Sequence, residues 1–278
     1  MRTIVYQSYR THNVPAWITR CLSTVEAWTD RKKFEYKFID DSFFDLVPDW
    51  YKQKANGNKL LITDLARLEA AREFLSNGYE RTIWVDADVV IFDAERFEVD
   101  VAEEYAFCRE VWVHKARPFG VTLPITRISN KVNNSVMVYV KNNSMLEFYR
   151  SACERLITTM PSRFDGGYVS TTFLTWLNKR MPLPLLANVG LFSPVILHDL
   201  ATGKDRYVRM FMQRFGSHIH AANLCSTFNN GRYMGREMND GVYDRAIAAL
   251  IGSCGDVVNK HLEKELPSLP NLRILATQ

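Results

Sequence analysis

Asp86 and Asp88 stand two residues apart, where the apolar run TIWV of residues 82–85 stops. Such a run reads as a buried strand, and the interior excludes carboxylates that have neither partner nor cation. At the exit of a strand the two side chains are partly exposed and can converge on one ion. Magnesium and manganese take oxygen ligands and commonly share their shell with phosphates. A nucleoside diphosphate supplies such oxygens, and the ion neutralises charge as the diphosphate leaves. The same two aspartates could instead cap the turn that follows.

Asp64 and Arg67, in LITDLARLEAA, are three apart and share one face of a helix. They form either a surface ion pair or a binding pair, the guanidinium reaching a phosphate or sugar oxygen. Further along, SHIHAAN carries His218 and His220, which fall on one face if the segment is a strand. A neutral imidazole there could ligate manganese or donate to a diphosphate oxygen. Asp165 precedes Gly166-Gly167 and suits a turn.

These groups need elements to position them. Thr3–Tyr6 reads as a buried strand, Pro15 opens a helix to about Trp28, and FEYKFI alternates like a strand before Asp40-Asp41. A helix over roughly Thr63–Ser76 ends at Asn77-Gly78, and Thr82–Val85 runs straight into Asp86. Strand, helix, strand, helix, strand implies a parallel sheet whose ligands bind beyond the carboxyl ends of the strands. The rest is less regular: a strand at Ser135–Val140, helices at Met145–Thr159 and Thr171–Lys179, a strand-like piece at Phe215–Ala221, and a helical pattern over Tyr243–Leu266. No repeat, linker or low-complexity stretch interrupts the chain, so one continuous domain over 1–278 is expected.

Composition narrows the class. The 278 residues are 47% hydrophobic and 24% charged, which suits a folded domain with a sizeable core. A net charge of +4 is too mild for a nucleic-acid binder. It is uneven, however: residues 109–180 hold eleven Lys or Arg against four Asp or Glu. That stretch is either a solvated face or one turned to an anionic acceptor, a diphosphate or a membrane surface. Five Cys, with no CxxC, read as reduced thiols of a cytoplasmic protein, either free or peripheral at a membrane surface. No run of apolar residues is long enough to span a bilayer.

Taken in order, VYQSYRTHNVPAW, FEYKFIDD, TDLAR and WVDAD resemble the DxD sugar-binding region of the α-mannosyltransferase and capsular-polysaccharide glycosyltransferases. The stretch LARLEAAREFLSNGYERTIWVDADVVIF also resembles the glycogenin and lipopolysaccharide galactosyltransferase group. The resemblance covers residues 1–92. Asp64 lies 22 residues before Asp86, further than in the mannosyltransferase pattern, and Asn77-Gly78-Tyr79-Glu80 stands where a Gly-Gly turn is usual.

The resemblance implies a GT-A-like α/β fold with a mostly parallel central sheet flanked by helices. It implies transfer of a sugar from a nucleotide sugar, UDP before GDP, to a hydroxyl of a glycan, a lipid-linked or another acceptor, with Mn2+ or Mg2+. Tyr6, Gln7 and Ser8 would lie against base and ribose, and Asp64 and Arg67 would hold the donor sugar. Asp86 would touch ribose or metal, with Ala87 beside the donor, and Asp88 would ligate the metal. Asn134 would face donor or acceptor in an "N-S/A-G-V-M"-like strand, although Val136 replaces its usual Gly. Asp165 matches an acidic residue of the catalytic region, and His220 matches a late His on metal or diphosphate. On this reading residues 1–100 bind the donor and 101–278 shape the acceptor side.

Other readings of the same residues are a phosphohydrolase of the haloacid dehalogenase type, a nucleotidyltransferase and a non-catalytic carbohydrate-binding protein. The first normally begins its domain with the Asp pair, and the second would want a Gly-rich phosphate loop that VYQSYRTHN lacks.

Overall fold

The computed structural model describes residues 1–115, 126–159 and 167–262. Asp165 lies outside them. The chain begins with β1 (Thr3–Ser8), α1 (Ala16–Lys32) and β2 (Glu35–Ile39), followed by α2 (Asp49–Ala55), α3 (Lys59–Ser76), β3 (Arg81–Val85) and β4 (Val89–Ile91). Next come β5 (Tyr105–Lys115), β6 (Thr126–Val140), α4 (Met145–Thr159), α5 (Phe173–Asn178), β7 (Leu185–Leu186), β8 (Val189–Leu191), α6 (Pro194–Thr202) and α7 (Arg206–Phe215). The described chain closes with β9 (Ala221–Asn223), the hairpin β10 (Gly231–Tyr233) and β11 (Arg236–Met238), then α8 (Asp240–Gly252) and α9 (Asp256–Asn259).

The main sheet has six strands in the order β2-β1-β3-β6-β5-β7. All run the same way except β6, which is antiparallel to both its neighbours, so the architecture is α/β with a mostly parallel sheet flanked by helices. Side chains alternate across it. Val5, Ile83, Val85 and Val138 pack with Val25 and Trp28 of α1 on one face. Tyr6, Trp84, Met137 and Tyr139 pack with Leu61, Leu65 and Leu68 of α3 on the other. Period-two alternation puts successive residues of one strand into opposite cores. Each fully buried leucine contributes roughly 1.5–3 kcal/mol.

α3 starts four residues earlier than the apolar pattern suggested, because the Asn58 side chain accepts from Leu60 N at 3.1 Å and caps it. Gly78, at φ 92, then turns the chain into β3. Two further differences bear on the site. β5 and the first half of β6 form a long two-stranded arm that sequence pattern missed, since Arg109, Glu110, His114, Arg127 and Lys131 obscure its alternation. The expected strand over Phe215–Ala221 is displaced: Phe215 ends α7, β9 begins at Ala221, and His218 and His220 lie in the connection.

A second sheet, β4-β9-β8, hangs from the end of β3. Its antiparallel register pairs Val89 with Asn223 and Ile91 with Ala221. No described helix is long and apolar enough to cross a membrane.

Candidate functional site

A cleft of about 480 Å³ opens beyond the carboxyl ends of β1 and β3. This is where a parallel sheet leaves strand-end loops free to hold a ligand. Asp86, Ala87 and Asp88 line it, together with Ser8, Asp64, Arg67 and Asn134.

Arg67 is the tie among them. Its Nη2 lies 2.7 Å from Asp86 Oδ1, and its Nη1 donates to Asp64 Oδ1 at 3.3 Å and to the Asn134 carbonyl at 3.4 Å. The guanidinium sits 5.0 Å from the centroid of the Trp84 ring, a cation–π contact. The Asn134 amide donates to Asp64 Oδ1 at 2.8 Å. Arg67 Nε is buried without a hydrogen-bond partner. Asp64 (4% exposed) and Arg67 (8%) are therefore a buried network rather than a surface ion pair. Burial pushes the Asp64 carboxyl above its ordinary range, opposed by Arg67 and Asn134.

Asp86 sits at the junction. Its Oδ1 also accepts from Trp84 Nε1 at 2.7 Å. Burial pushes its pKa up to about 7, opposed by the Arg67 charge and reinforced by Asp88. Asp88 is held from the other side: its Oδ1 accepts from Asn223 Nδ2 at 2.6 Å and its Oδ2 from Ser226 N at 2.7 Å. The same Asn223 nitrogen is 3.4 Å from Asp86 Oδ2. The Asn223 Oδ1 accepts from Cys225 N at 2.9 Å, which fixes which way the amide points. One N–H2 group thus stands between the two carboxylates, a partial positive charge where a cation would balance them.

Asn223 and Ser226 were not anticipated. They reach Asp88 because β9 pairs with β4, a contact that no short sequence pattern announces. The cleft is consequently built from both halves of the chain.

Several expected residues lie elsewhere. Tyr6 is fully buried against Phe74 and Trp84, and its hydroxyl donates to the Arg67 carbonyl at 2.7 Å. Gln7 is also fully buried. Its amide donates to the Asp86 carbonyl at 3.2 Å and accepts from Tyr36 Oη at 3.0 Å. Neither can face a base or ribose; Ser8, Tyr9 and Arg10 reach the cleft instead. His220 is not part of the cleft. Its Nδ1 is 3.4 Å from Asp93 Oδ2, and its carbonyl accepts from Phe92 N and Asp93 N at the far end of β4. Three residues of strand separate it from Asn223, about 10 Å. Burial lowers its pKa, and His218 is exposed.

No family model matches the chain, and no curated protein matches it. Solved structures similar to it include three proteins of different kinds. One is a glycosyltransferase involved in the glycosylation of the major capsid of PBCV-1, at 11% identity over 90% of this chain and 98% of that one, with a TM-score of 0.45. A197 from STIV aligns at 11% identity over 64% of this chain and 78% of its own, with a TM-score of 0.26. The bifunctional IspDF from Campylobacter jejuni aligns at 10% over 61% and 46%, with a TM-score of 0.29. At such TM-scores none of these likenesses bears on the reading of the site.

Do these residues suit a divalent ion? Among the described residues, no three His, Cys, Asp or Glu side chains cluster so as to hold one alone. Magnesium and manganese sites that use one or two carboxylates plus phosphate oxygens do not need three. Asp86 Oδ2 has only the long 3.4 Å contact to Asn223 and is the least committed oxygen of the pair. The described lining holds five carboxylates against three cations, one of them the already paired Arg67. A diphosphate would be repelled from such a cleft unless a cation came with it. The residues fit the ion in that limited sense.

Proposed function

We propose that this chain is a glycosyltransferase with a GT-A-like fold, moving a sugar from a nucleoside-diphosphate sugar to an acceptor hydroxyl with manganese or magnesium. The observation that carries it is the Asp86–Asp88 pair at the exit of β3, joined through Arg67 to Asp64 and Asn134 in one cleft. Asp86 and Asp88 would hold the ion. When bound, it would neutralise charge on the departing diphosphate.

The chain's own residues do the rest. Asp64 and Asn134 present acceptor and donor atoms toward sugar hydroxyls. Arg67 fixes Asp64 and Asp86 in place and adds positive charge behind them. Asn223 and the Ser226 N–H keep Asp88 aimed into the cleft. UDP is the first choice of nucleotide and GDP the second, by the sequence resemblance. A phosphohydrolase is disfavoured because its nucleophile would be Asp86. That carboxylate has a pKa near 7 and an Oδ1 already engaged by Arg67 and Trp84.

Thermal unfolding with UDP or GDP, each with and without manganese, tests this. Stabilisation should require nucleotide and metal together, because only a ligand of the native state raises its stability. Nucleotide stabilisation that survives EDTA unchanged would refute metal-dependent binding. The effect should also strengthen as pH rises from about 6 to 8. Below its pKa of about 7 Asp86 holds a proton that the ion must displace, and above it does not. A pH-independent shift over that range would remove Asp86 from the ion's ligands.

Without acceptor, the donor should be hydrolysed slowly, as water takes the place of the sugar hydroxyl. Chromatography should detect free nucleoside diphosphate and free sugar. Release of inorganic phosphate from simple phosphomonoesters would point to the phosphohydrolase instead.

A further inference from the structure

One end of the cleft lies apart from the Asp64, Arg67, Asp86 and Asp88 network. β5 brings Glu110 and Trp112, two apart and on one strand face, to the cleft wall. Phe228 joins them from the turn after β9. Its ring lies 5.6 Å from that of Trp112 at 32°. The Trp112 Nε1 donates to Tyr233 Oη at 3.1 Å, and Tyr233 packs edge-on against Phe228 at 5.2 Å. The β10–β11 hairpin therefore fixes the indole in one orientation while leaving it half-buried and open to the cleft.

Glu110 is only 6% exposed, yet it is a cleft residue. Its Oε2 accepts from Asn133 Nδ2 at 3.1 Å, and its Oε1 is 3.7 Å from Lys131 Nζ. A carboxylate has about four acceptor positions, so one short bond leaves most of its capacity free. Among the described residues the acid is met by that one hydrogen bond and one long ion pair. Burying one is unfavourable unless it is hydrogen-bonded.

A rigid aromatic surface beside a held carboxylate suits a pyranose. The C–H face of the ring covers an aromatic face, and adjacent hydroxyls donate to the carboxylate. Charge selects further. Glu110 shares the cleft with Asp41, Asp64, Asp86 and Asp88, which disfavours a uronate or a phosphorylated sugar.

We propose that Glu110, Trp112 and Phe228 form a subsite for a neutral pyranoside, stacked on Trp112 with a hydroxyl donating to Glu110. It rests on the transferase reading only for the sugar's role, which is that of acceptor. Glu110 is a binding residue here, and no proton transfer is assigned to it.

Saturation-transfer NMR tests the subsite. The probes are the methyl pyranosides of glucose, galactose and mannose, with methyl glucuronoside as the anionic comparison, in the presence of UDP and magnesium. At least one neutral glycoside should receive saturation, and the glucuronoside should not. Glu110→Gln and Trp112→Ala should each weaken that binding at least tenfold, while thermal stabilisation by UDP with magnesium persists and shows that both variants are folded. Should Trp112→Ala fail to fold, Trp112→Phe keeps a smaller platform and should weaken binding by less. Equal binding to the wild type and both variants, preference for the glucuronoside, or nucleotide binding with no glycoside signal would overturn the subsite. Glycoside binding in a protein that no nucleotide stabilises would support the subsite and overturn the transferase reading instead.

Discussion

Asp88→Asn is expected to abolish metal-dependent nucleotide stabilisation and to lower turnover by at least about a thousandfold, roughly 4 kcal/mol of transition-state free energy. The replacement has the same shape and keeps an oxygen for the Asn223 amide or the Ser226 N–H, so one of the two local hydrogen bonds survives. What disappears is one of two negative charges offered to the ion. Urea unfolding should place the variant within about 1–2 kcal/mol of the wild type, in line with the loss of a single charge-assisted hydrogen bond. Full turnover of this variant in excess EDTA would end the metal-dependent assignment.

Arg67→Ala should have the largest effect on stability, a loss of about 3–5 kcal/mol. The guanidinium is buried and serves Asp86 at 2.7 Å and Asp64 at 3.3 Å, while stacking on Trp84. Its removal leaves the buried Asp64 and the partly exposed Asp86 without their counter-charge. Both already have raised pKa values through burial, and losing Arg67 raises them further. The variant's carboxylates should therefore take up protons, so its deficit should be smaller at pH 5 than at pH 8, where they are ionised. Urea midpoints at the two pH values, with unchanged slope, check this. Arg67→Lys restores the charge without the planar fork and should recover part of the stability but little turnover. An Arg67→Ala variant within 1 kcal/mol of the wild type at pH 8 would show that the network holds nothing.

The first strands and the carboxylate pair were legible because each is a short apolar run ended by chemistry. TIWV into Asp86 needs no partner to be recognised, and β3 lies where it was expected. Asp64, Arg67 and Asn134 stood out in the sequence as well, and they meet in one cleft. Their burial was not readable: spacing shows that Asp64 and Arg67 share a helix face, not which way that face turns. Tyr6 and Gln7 were misplaced for a related reason. A strand's last turnward residues look alike in sequence, and only register decides that β1 reaches the cleft at Ser8.

The later cleft residues were hidden for a different reason. Asn223 and Ser226 acquire meaning only through the β4–β9 pairing, and Glu110 and Trp112 only through the arm formed by β5 and β6. Two histidines drew attention because imidazole is a metal ligand anywhere, whereas an asparagine signals nothing until its neighbours are known. His220 turned out to serve Asp93 at the wrong end of β4.

The amide that stands between the two aspartates comes from 135 residues beyond Asp88. Contacts so distant in sequence close slowly, because a long loop must be ordered before they are rewarded. A chain emerging from the ribosome therefore carries Asp86 and Asp88 without Asn223 for a further 135 residues of synthesis beyond Asp88. During that interval the aspartates face each other with no amide between them. The setting of the two aspartates is thus a late event: it is complete only once β9 has paired with β4 and brought Asn223 and Ser226 to Asp88.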